Sequence, residues 1–298
     1  MIDSPPVCDY EGSNYQSDFW DTGEREYEDR AERIALKAFL PKSGQVALEV
    51  GAGAGRLTPL LSMFGRVVLL DYSRTQLRQA RARLGDSNRY TFVAANVYQL
   101  PFAPGAFDGA TMIRVIHHLA EAPAALKEIR SVLAPGATFI LEFANKQNWK
   151  AILRYLLRKQ SWSPFAPAPV EFVGLNFDFH PRAIRAWLNG AGFSVKHQRT
   201  VSHYRLGLLK RAIPANVLAA LDGLVQPTGD LLQFSPSVFV KCVARGNRQI
   251  GELKEGREMF RCPVCKGALD GDGDFLVCVS GHQWRYKDGI YDFKEQME

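Results

Sequence analysis

The chain lacks any apolar run of the roughly eighteen residues that a membrane-spanning helix needs, so none is expected. Its first residues, Met-Ile-Asp-Ser-Pro-Pro, have neither the basic nor the apolar region of a secretory signal peptide. Cysteine is scarce and odd in number, five among 298 residues, which argues against a disulfide framework. Together these absences predict a cytoplasmic protein.

Acidic residues are scarce between residues 144 and 211, where two Asp or Glu stand against twelve Lys or Arg. The whole chain has a net charge of +6, so the rest of it sums to about −4. Lys146, Lys150, Arg154 and Arg158 are spaced by four, which predicts one basic stripe along a helix. The stripe is either a solvated face or a surface for RNA, an anionic membrane or a phosphorylated substrate.

A glycine-rich turn follows the apolar run 46–50, which has the composition of a buried parallel strand. Glycines at alternate positions, Gly51, Gly53 and Gly55, let the backbone turn sharply and approach a ligand closely. A second apolar run ends in Asp71, where a carboxylate can accept hydrogen bonds from ribose hydroxyls. The pattern predicts a nucleoside-containing cofactor.

The turn departs from the dinucleotide-binding fingerprint, because its third glycine comes one residue early and Arg56 takes that place. Glu49 puts a carboxylate beside the glycines, which suits a cationic ligand and would repel a pyrophosphate. S-adenosylmethionine carries a sulfonium and an ammonium, whereas NAD carries two phosphates. S-adenosylmethionine is therefore the predicted cofactor.

At this point the chain resembles the class I S-adenosylmethionine-dependent methyltransferases, especially the ubiquinone/menaquinone-biosynthesis-like group. The resemblance covers roughly residues 25–145 and includes five blocks at the expected spacing: Asp-Tyr-Ser at 71–73, Leu-Pro-Phe at 100–102, Gly-Ala-Phe-Asp at 105–108, Ile-His-His-Leu at 116–119 and the helix end at 126–136.

Apolar runs and helical patterns alternate along the chain, which predicts an α/β fold with a parallel sheet and helices on both faces. The expected strands are 45–50, 66–70, 90–95, 108–113, 137–143, 193–200 and 237–244. The expected helices are 26–40, 55–63, 74–84, 122–133 and 181–190. The resemblance implies a Rossmann-like, seven-stranded sheet whose last two strands form an antiparallel edge.

The resemblance also implies the cofactor residues. The methionine part would lie against the turn, at Glu49, Gly51, Ala52, Gly53 and Gly55. Asp71 would hold the ribose and Tyr72 would line the adenine. The family usually has Asp at the end of the third strand, whereas this chain has Asn96, whose amide oxygen can accept the same hydrogen bond less strongly. Val97 would offer its backbone N–H to the ring.

Methyl transfer from a sulfonium is an in-line displacement that mainly requires alignment and exclusion of water. A base is needed only if the acceptor loses a proton. The candidates follow strand ends or precede a helix: His117, His118, Glu142 and His180. The histidines have a structural alternative, since they can also pack or begin a helix.

Cys262 and Cys265 are followed by Cys278 and His282, a spacing that suits a structural Zn²⁺ with thiolate and imidazole ligands. A module of about forty residues has too little core to fold alone, so the metal would supply stability. This segment resembles the small zinc-ribbon activators of methyltransferases and the ribbon of certain rRNA methyltransferases. Its near-neutral charge does not favour RNA binding.

The predicted organisation is an N-terminal arm over the cofactor (1–24), a methyltransferase domain (25–244), a linker (245–258) and a zinc ribbon (259–298). The domain would carry insertions at 144–180 and 201–236. The first insertion is a cap rich in aromatic residues, which favours a small-molecule or lipid-like acceptor. The alternatives are an RNA methyltransferase and a weakly active cofactor-binding scaffold that activates a partner.

Overall fold

The computed structural model describes residues 5–246, 256–271 and 273–297. Its strands are β1 (Gly44–Val50), β2 (Phe64–Asp71), β3 (Tyr90–Ala94), β4 (Phe107–Met112), β5 (Leu133–Ala144), β6 (Val170–Val173), β7 (Asn176–Asp178), β8 (Phe193–Val201), β9 (Ser237–Ala244), β10 (Leu269–Asp270), β11 (Phe275–Cys278), β12 (Gln283–Lys287) and β13 (Ile290–Met297). Its α-helices are α1 (Tyr15–Phe19), α2 (Glu26–Phe39), α3 (Arg74–Leu84), α4 (Ala122–Val132), α5 (Trp149–Leu156), α6 (Pro181–Gly190), α7 (Gly207–Ala212) and α8 (Ala215–Val225).

Seven strands form the main sheet in the order β3-β2-β1-β4-β5-β9-β8. Strands β1 to β5 pair in parallel, and β9 runs antiparallel to both of its neighbours, β5 and β8. The predicted Rossmann-like α/β fold is therefore confirmed. The reversed strand is β9 itself, and β8 lies outside it at the edge.

Helices cover both faces of this sheet because alternate side chains of each strand point to opposite faces. On one face Leu48 of β1 belongs to the same buried cluster as Leu126 of α4. On the other face Leu69 of β2 packs in a cluster with Leu77 of α3, while α2 and α8 share a third cluster with Phe239. Burial on both faces explains the continuous apolar runs of the central strands.

The C-terminal strands extend the main sheet. Among the described residues, β10 to β13 form an antiparallel ribbon whose last strand, β13, pairs in parallel with β3, with Ile290 opposite Phe92. Phe260 is 1% exposed and stacks on Phe102 with ring centroids 5.8 Å apart. The ribbon thereby covers the β3 edge, which would otherwise present unpaired backbone groups.

The helix expected at 55–63 is wrong, since the structure has a 3-10 helix at Thr58–Leu61. Gly55 adopts a φ of +72°, outside the right-handed helical region, and Pro59 has no backbone N–H to donate. Together these two residues limit the segment to one short 3-10 helix.

The expected basic stripe is also wrong at its first member. Helix α5 begins at Trp149, so Lys146 precedes it, and Lys146 is only 2% exposed. Its ammonium donates a hydrogen bond to the Ala168 carbonyl oxygen at 2.6 Å. Lys150 donates to the Arg205 carbonyl oxygen, which leaves Arg154 as the exposed member on the helix, followed by Arg158 beyond its end.

Within the described part of the chain, no helix combines the length and apolar character needed to cross a membrane.

Replacing Phe260 with Ala is expected to lower the free energy of unfolding by about 3–5 kcal/mol, because it leaves a cavity between the ribbon and the main sheet. Phe275, 45% exposed on the same ribbon, provides the matched control, and Phe275→Ala should cost less than about 1 kcal/mol. Urea denaturation measures both. Equal losses in the two variants would contradict the proposed packing role of Phe260.

Candidate cofactor site and metal centre

A cleft opens where the carboxyl ends of β1, β2 and β4 meet, and its empty volume, including the part open to solvent, is about 1060 Å³. It is lined by seven of the nine predicted cofactor residues: Glu49, Gly51, Ala52, Gly53, Asp71, Tyr72 and Val97. Gly55 and Asn96 are not among the lining residues. In open α/β sheets ligands bind at this end of the strands, so the cleft has the expected position for a cofactor.

The glycine turn requires residues without a side chain. Gly51 has a φ of +67°, and a Cβ there would lie 2.1 Å from Cγ2 of Val115. Gly53 has a φ of +54°, and its N–H donates to Oδ2 of Asp71 at 2.8 Å. The turn after β1 is thus tied directly to the end of β2.

Asp71 accepts a second hydrogen bond, from the backbone N–H of Ser73 to Oδ1 at 2.9 Å. Burial raises the pKa of Asp71, while these two N–H groups act against that rise. A carboxylate offers about four lone-pair positions, so each oxygen can still accept a hydroxyl hydrogen. The geometry suits the ribose role predicted for this residue.

Glu49 lies on the floor of the cleft, and its Oε2 accepts a hydrogen bond from the Thr58 hydroxyl at 2.6 Å. Burial raises the pKa of Glu49 to about 7, against the opposing effects of Thr58 and Arg56. The carboxyl group is therefore poised between neutral and charged forms near neutral pH. A cationic ligand beside it would favour the charged form.

The predicted adenine side combines residues from distant parts of the chain. Oδ1 of Asn96 accepts a hydrogen bond from the Tyr98 backbone at 3.0 Å, while Val97 lines the cleft. Lys294, from ribbon strand β13, places its ammonium 3.9 Å from the centre of the Tyr72 ring. Sequence reasoning missed Lys294 because nothing in the local pattern of β13 specifies its pairing with β3.

The N-terminal segment also lies against the cleft. Its lining residues are Val7, Cys8, Tyr10, Gln16 and Trp20. The guanidinium of Arg56 lies 3.6 Å from the centre of the Trp20 ring, a cation–π contact that holds the segment near the glycine turn. An aromatic residue from the leader therefore does reach the cleft.

His118 is the one predicted catalytic candidate among the residues that line the cleft. Its Nδ1 lies 3.0 Å from the Leu175 carbonyl oxygen, and a carbonyl can only accept, so Nδ1 carries the hydrogen. Nε2, 3.3 Å from the Tyr10 hydroxyl, is then the acceptor of a neutral ring. Burial lowers the pKa of His118, which favours this neutral form at pH 7.

The other three candidates are held elsewhere. His117 is buried beside His118, and its Nδ1 has no hydrogen-bond partner among the described residues. Glu142 accepts from the Ser237 hydroxyl at 2.6 Å and from the Arg114 backbone at 2.9 Å. His180 accepts from the Arg182 backbone N–H and so caps α6, the alternative role considered for it.

Arg114 lines the cleft and was missed by sequence reasoning. Its Nε donates to Oε1 of Glu32 at 2.7 Å, and Arg56 donates to the other oxygen of the same buried carboxylate at 2.8 Å. The signal available was its position just after β4, at the same end of the sheet as Asp71. This ion network explains why Glu32 can remain charged although it is fully buried: the two guanidinium groups outweigh desolvation and lower its pKa.

The C-terminal cysteines and histidine form a compact cluster. The four ligand atoms of Cys262, Cys265, Cys278 and His282 all lie within 4.8 Å of one another. The sulfurs of Cys265 and Cys278 are 3.4 Å apart, and Nδ1 of His282 lies 3.2 Å from the Cys278 sulfur and 3.6 Å from that of Cys262. A tetrahedron with Zn–S bonds of ~2.3 Å has S–S edges of about 3.8 Å, so the donor set and its spacing fit zinc.

Comparisons with known proteins agree with this geometry. A family model described as a methyltransferase domain matches residues 48–141. A demethylmenaquinone methyltransferase of Clavibacter sepedonicus is 28% identical over 64% of this chain and 83% of that protein. A 2-phytyl-1,4-naphtoquinone methyltransferase of Thermosynechococcus vestitus is 34% identical over 35% of this chain and 48% of that protein.

Among solved structures, a complex of the Haloferax volcanii Trm112 methyltransferase activator with a methyltransferase superposes with a TM-score of 0.55. The match has 18% sequence identity and covers 78% of this chain and 96% of that one. At this identity it supports the fold alone. Fold, cleft and matched domain lead to one identification. The chain is an S-adenosylmethionine-dependent methyltransferase with a Rossmann-like methyltransferase fold.

The methyltransferase spans most of the first relative but only about half of the second. Residues 48–141, which the domain model matches, include the glycine turn and the cleft-lining ends of β1, β2 and β4. The cap and the ribbon lie outside the matched domain model. The comparisons therefore establish the donor chemistry and leave the acceptor as a matter for proposal.

The affinity of the methyltransferase for S-adenosylmethionine is expected to rise about tenfold between pH 6 and pH 8. The reason is that Glu49, with a pKa of about 7, attracts the cationic donor only when it is ionised. Calorimetric titration at several pH values measures the effect. The isosteric control Glu49→Gln should bind more weakly at pH 8 and show a flat profile, and an equally steep profile in that variant would contradict the role of Glu49.

Proposed function

We propose that this methyltransferase transfers the methyl group to a small, apolar, quinone-like aromatic acceptor. The observation that carries the proposal is the apolar wall of the cleft beside His118, formed by Ile113, Val115 and Leu119. A wall of apolar side chains with few polar groups suits an aromatic acceptor better than a polar acceptor. Two relatives support the same acceptor class, since one is named a demethylmenaquinone methyltransferase and the other a 2-phytyl-1,4-naphtoquinone methyltransferase.

The donor would lie across the glycine turn. Glu49 would face its ammonium, the backbone of 51–53 would hold the methionine part, and Asp71 would bind the ribose. Tyr72 and Val97 would enclose the adenine, and Oδ1 of Asn96, which accepts the Tyr98 backbone N–H, would use its second lone pair for the adenine amino group. Each of these roles stays a proposal, supported by the positions of the residues around the cleft.

Transfer would proceed by in-line displacement, in which the acceptor atom bonds to the methyl carbon while the carbon–sulfur bond breaks and sulfur keeps the electron pair. A hydroquinone acceptor also loses a proton. Nε2 of His118 would release the Tyr10 hydroxyl and take this proton, because the Leu175 carbonyl holds the hydrogen on Nδ1 and the ring is neutral. Exclusion of water by the N-terminal segment would complete the site.

Incubation with labelled S-adenosylmethionine and a reduced, short-chain prenyl naphthoquinone is expected to yield a methylated product. His118→Gln should lower the turnover by about 10²- to 10⁴-fold with little change in donor affinity, since the residue acts on the acceptor side. The exposed His197, distant in sequence and outside the cleft lining, gives the control His197→Gln, which should keep full turnover. Full turnover in His118→Gln would contradict the assignment of His118 as the base. Methyl incorporation into RNA instead of the quinol would overturn the acceptor class.

We also propose that residues 259–298 form a zinc ribbon held by Cys262, Cys265, Cys278 and His282. The support is the close grouping of the four donors, within 4.8 Å of one another, and the small size of the segment, whose buried residues include Trp284 and Phe293. A bound Zn²⁺ would supply structural stability. We propose the rest of the domain organisation as the sequence predicts it: an arm at 1–24 and a methyltransferase domain at 25–244 with insertions at 144–180 and 201–236. Most of the linker at 245–258 lies outside the described residues.

Elemental analysis of the purified methyltransferase should find about one zinc per chain. Cys262→Ser removes one thiolate and is expected to lose the metal, whereas Cys8→Ser, outside the cluster, should keep it. Zinc content and denaturation midpoint, measured on the same samples, separate metal loss from general damage. Absence of metal from protein purified without chelator would contradict the assignment.

A further inference from the structure

The cap carries a surface that methyl transfer does not explain. Large apolar side chains are exposed there on α5, on the segment that follows it and on the β6–β7 hairpin. The most exposed are Leu153, Leu156, Leu157, Phe172 and Val173, at 48%, 68%, 55%, 51% and 70%. Contiguous apolar exposure of this extent is rare in monomers and marks a binding surface.

Ring contacts link α5 to β6 through the segment between them. Tyr155 of α5 packs edge-on against Phe165, with ring centroids 6.2 Å apart, and Trp162 packs in the same way against Phe172 of β6 at 5.7 Å. The Lys150–Arg205 hydrogen bond joins α5 to the chain just before α7. Leu206 in that part of the chain and Leu208 on α7 are also exposed. We call this set, on residues 149–173 and 205–208, the cap surface.

Basic residues surround the apolar ones. Arg154, Arg158 and Lys159 are exposed on α5 and directly after it, and the whole segment 144–211 holds two acids against twelve bases. One of those acids, Glu171, has its carboxylate engaged by the backbone N–H of Leu175 at 2.8 Å. An apolar face bordered by Lys and Arg is the signature of an interfacial helix, which inserts apolar side chains while its cations attract anionic headgroups.

We propose that the cap surface docks the methyltransferase on an anionic lipid bilayer. Four of the five most exposed side chains are aliphatic and cannot stack on bases, which argues against a nucleic-acid strand as the occupant. A symmetric dimer through this face would bring two strongly basic segments together, which argues against a second copy. An anionic bilayer satisfies both the apolar and the basic part of the surface.

The docked orientation would place the bilayer next to the cleft. Leu175, at the turn of the β6–β7 hairpin, contacts His118 through the hydrogen bond to Nδ1 at 3.0 Å. The hairpin thus has exposed Phe172 and Val173 and also a backbone contact to the cleft wall. This consequence rests on the proposed quinone-like acceptor, whereas docking itself does not.

Co-sedimentation of the full chain with vesicles tests the proposal in the absence of any methyl donor. Binding is expected to vesicles that contain phosphatidylglycerol and to be far weaker to pure phosphatidylcholine. Lys159→Gln should weaken binding about fivefold, and Leu156→Ser about tenfold. Matched controls outside the cap surface, Lys127→Gln on α4 and Phe275→Ser on β11, should bind as the parent does. Since all four side chains are exposed, denaturation midpoints should stay unchanged.

Equal binding to both kinds of vesicle, or equal loss in the cap variants and their controls, would overturn the proposal. So would retention of RNA without vesicle binding. A dimer by light scattering that Leu156→Ser dissociates, with no vesicle binding, would assign the surface to a second copy instead. Because this experiment measures no methyl transfer, none of these results would test the proposed acceptor chemistry, which the methylation assay tests separately.

Discussion

The cofactor site depends on one hydrogen bond, from the backbone N–H of Gly53 to the carboxylate of Asp71. This bond ties the turn after β1 to the end of β2, so the two strand ends keep a fixed separation. The turn itself is possible only because Gly51 and Gly53 adopt positive φ angles that other residues rarely reach. A side chain at Gly51 would also collide with Val115. The position of the cleft therefore follows from backbone conformation as much as from any side chain.

The ribbon is coupled to the same site through the sheet. Strand β13 pairs with β3, whose carboxyl end leads directly to Asn96 and Val97. Lys294 from β13 reaches Tyr72 and also lies 3.5 Å from Asp9 of the N-terminal segment. Arg74, which begins α3, pairs with Asp292 of the ribbon at 2.5 Å. The ribbon thus supports the Tyr72 side of the cleft, which gives the C-terminal module a structural task in the methyltransferase.

Features set by local residue patterns were predictable from the sequence. The alternating apolar runs gave the strand positions, and the glycines with Asp71 gave the location of the cleft. The close grouping of Cys262, Cys265, Cys278 and His282 was predictable from their spacing. The helix at 55–63 failed because Gly55 and Pro59 oppose a pattern that apolar periodicity favours.

Long-range pairing was not predictable. No residue of β13 signals that its partner is β3, so the contact of Lys294 with Tyr72 could not be expected. The basic stripe failed for a related reason: spacing by four assumes one helix, and Lys146 lies three residues before α5 begins, in a buried turn. The sequence likewise could not separate His117, His118, Glu142 and His180. The structure separates them, because His118 alone among these four lines the cleft.

Calorimetric titration of the purified chain with S-adenosylmethionine and, separately, with NAD tests the central claim most directly. The account predicts one donor molecule bound per chain, no heat with NAD, and loss of donor binding in Asp71→Ala with the fold retained. Preference for NAD, or an empty cleft at saturating donor, would contradict it.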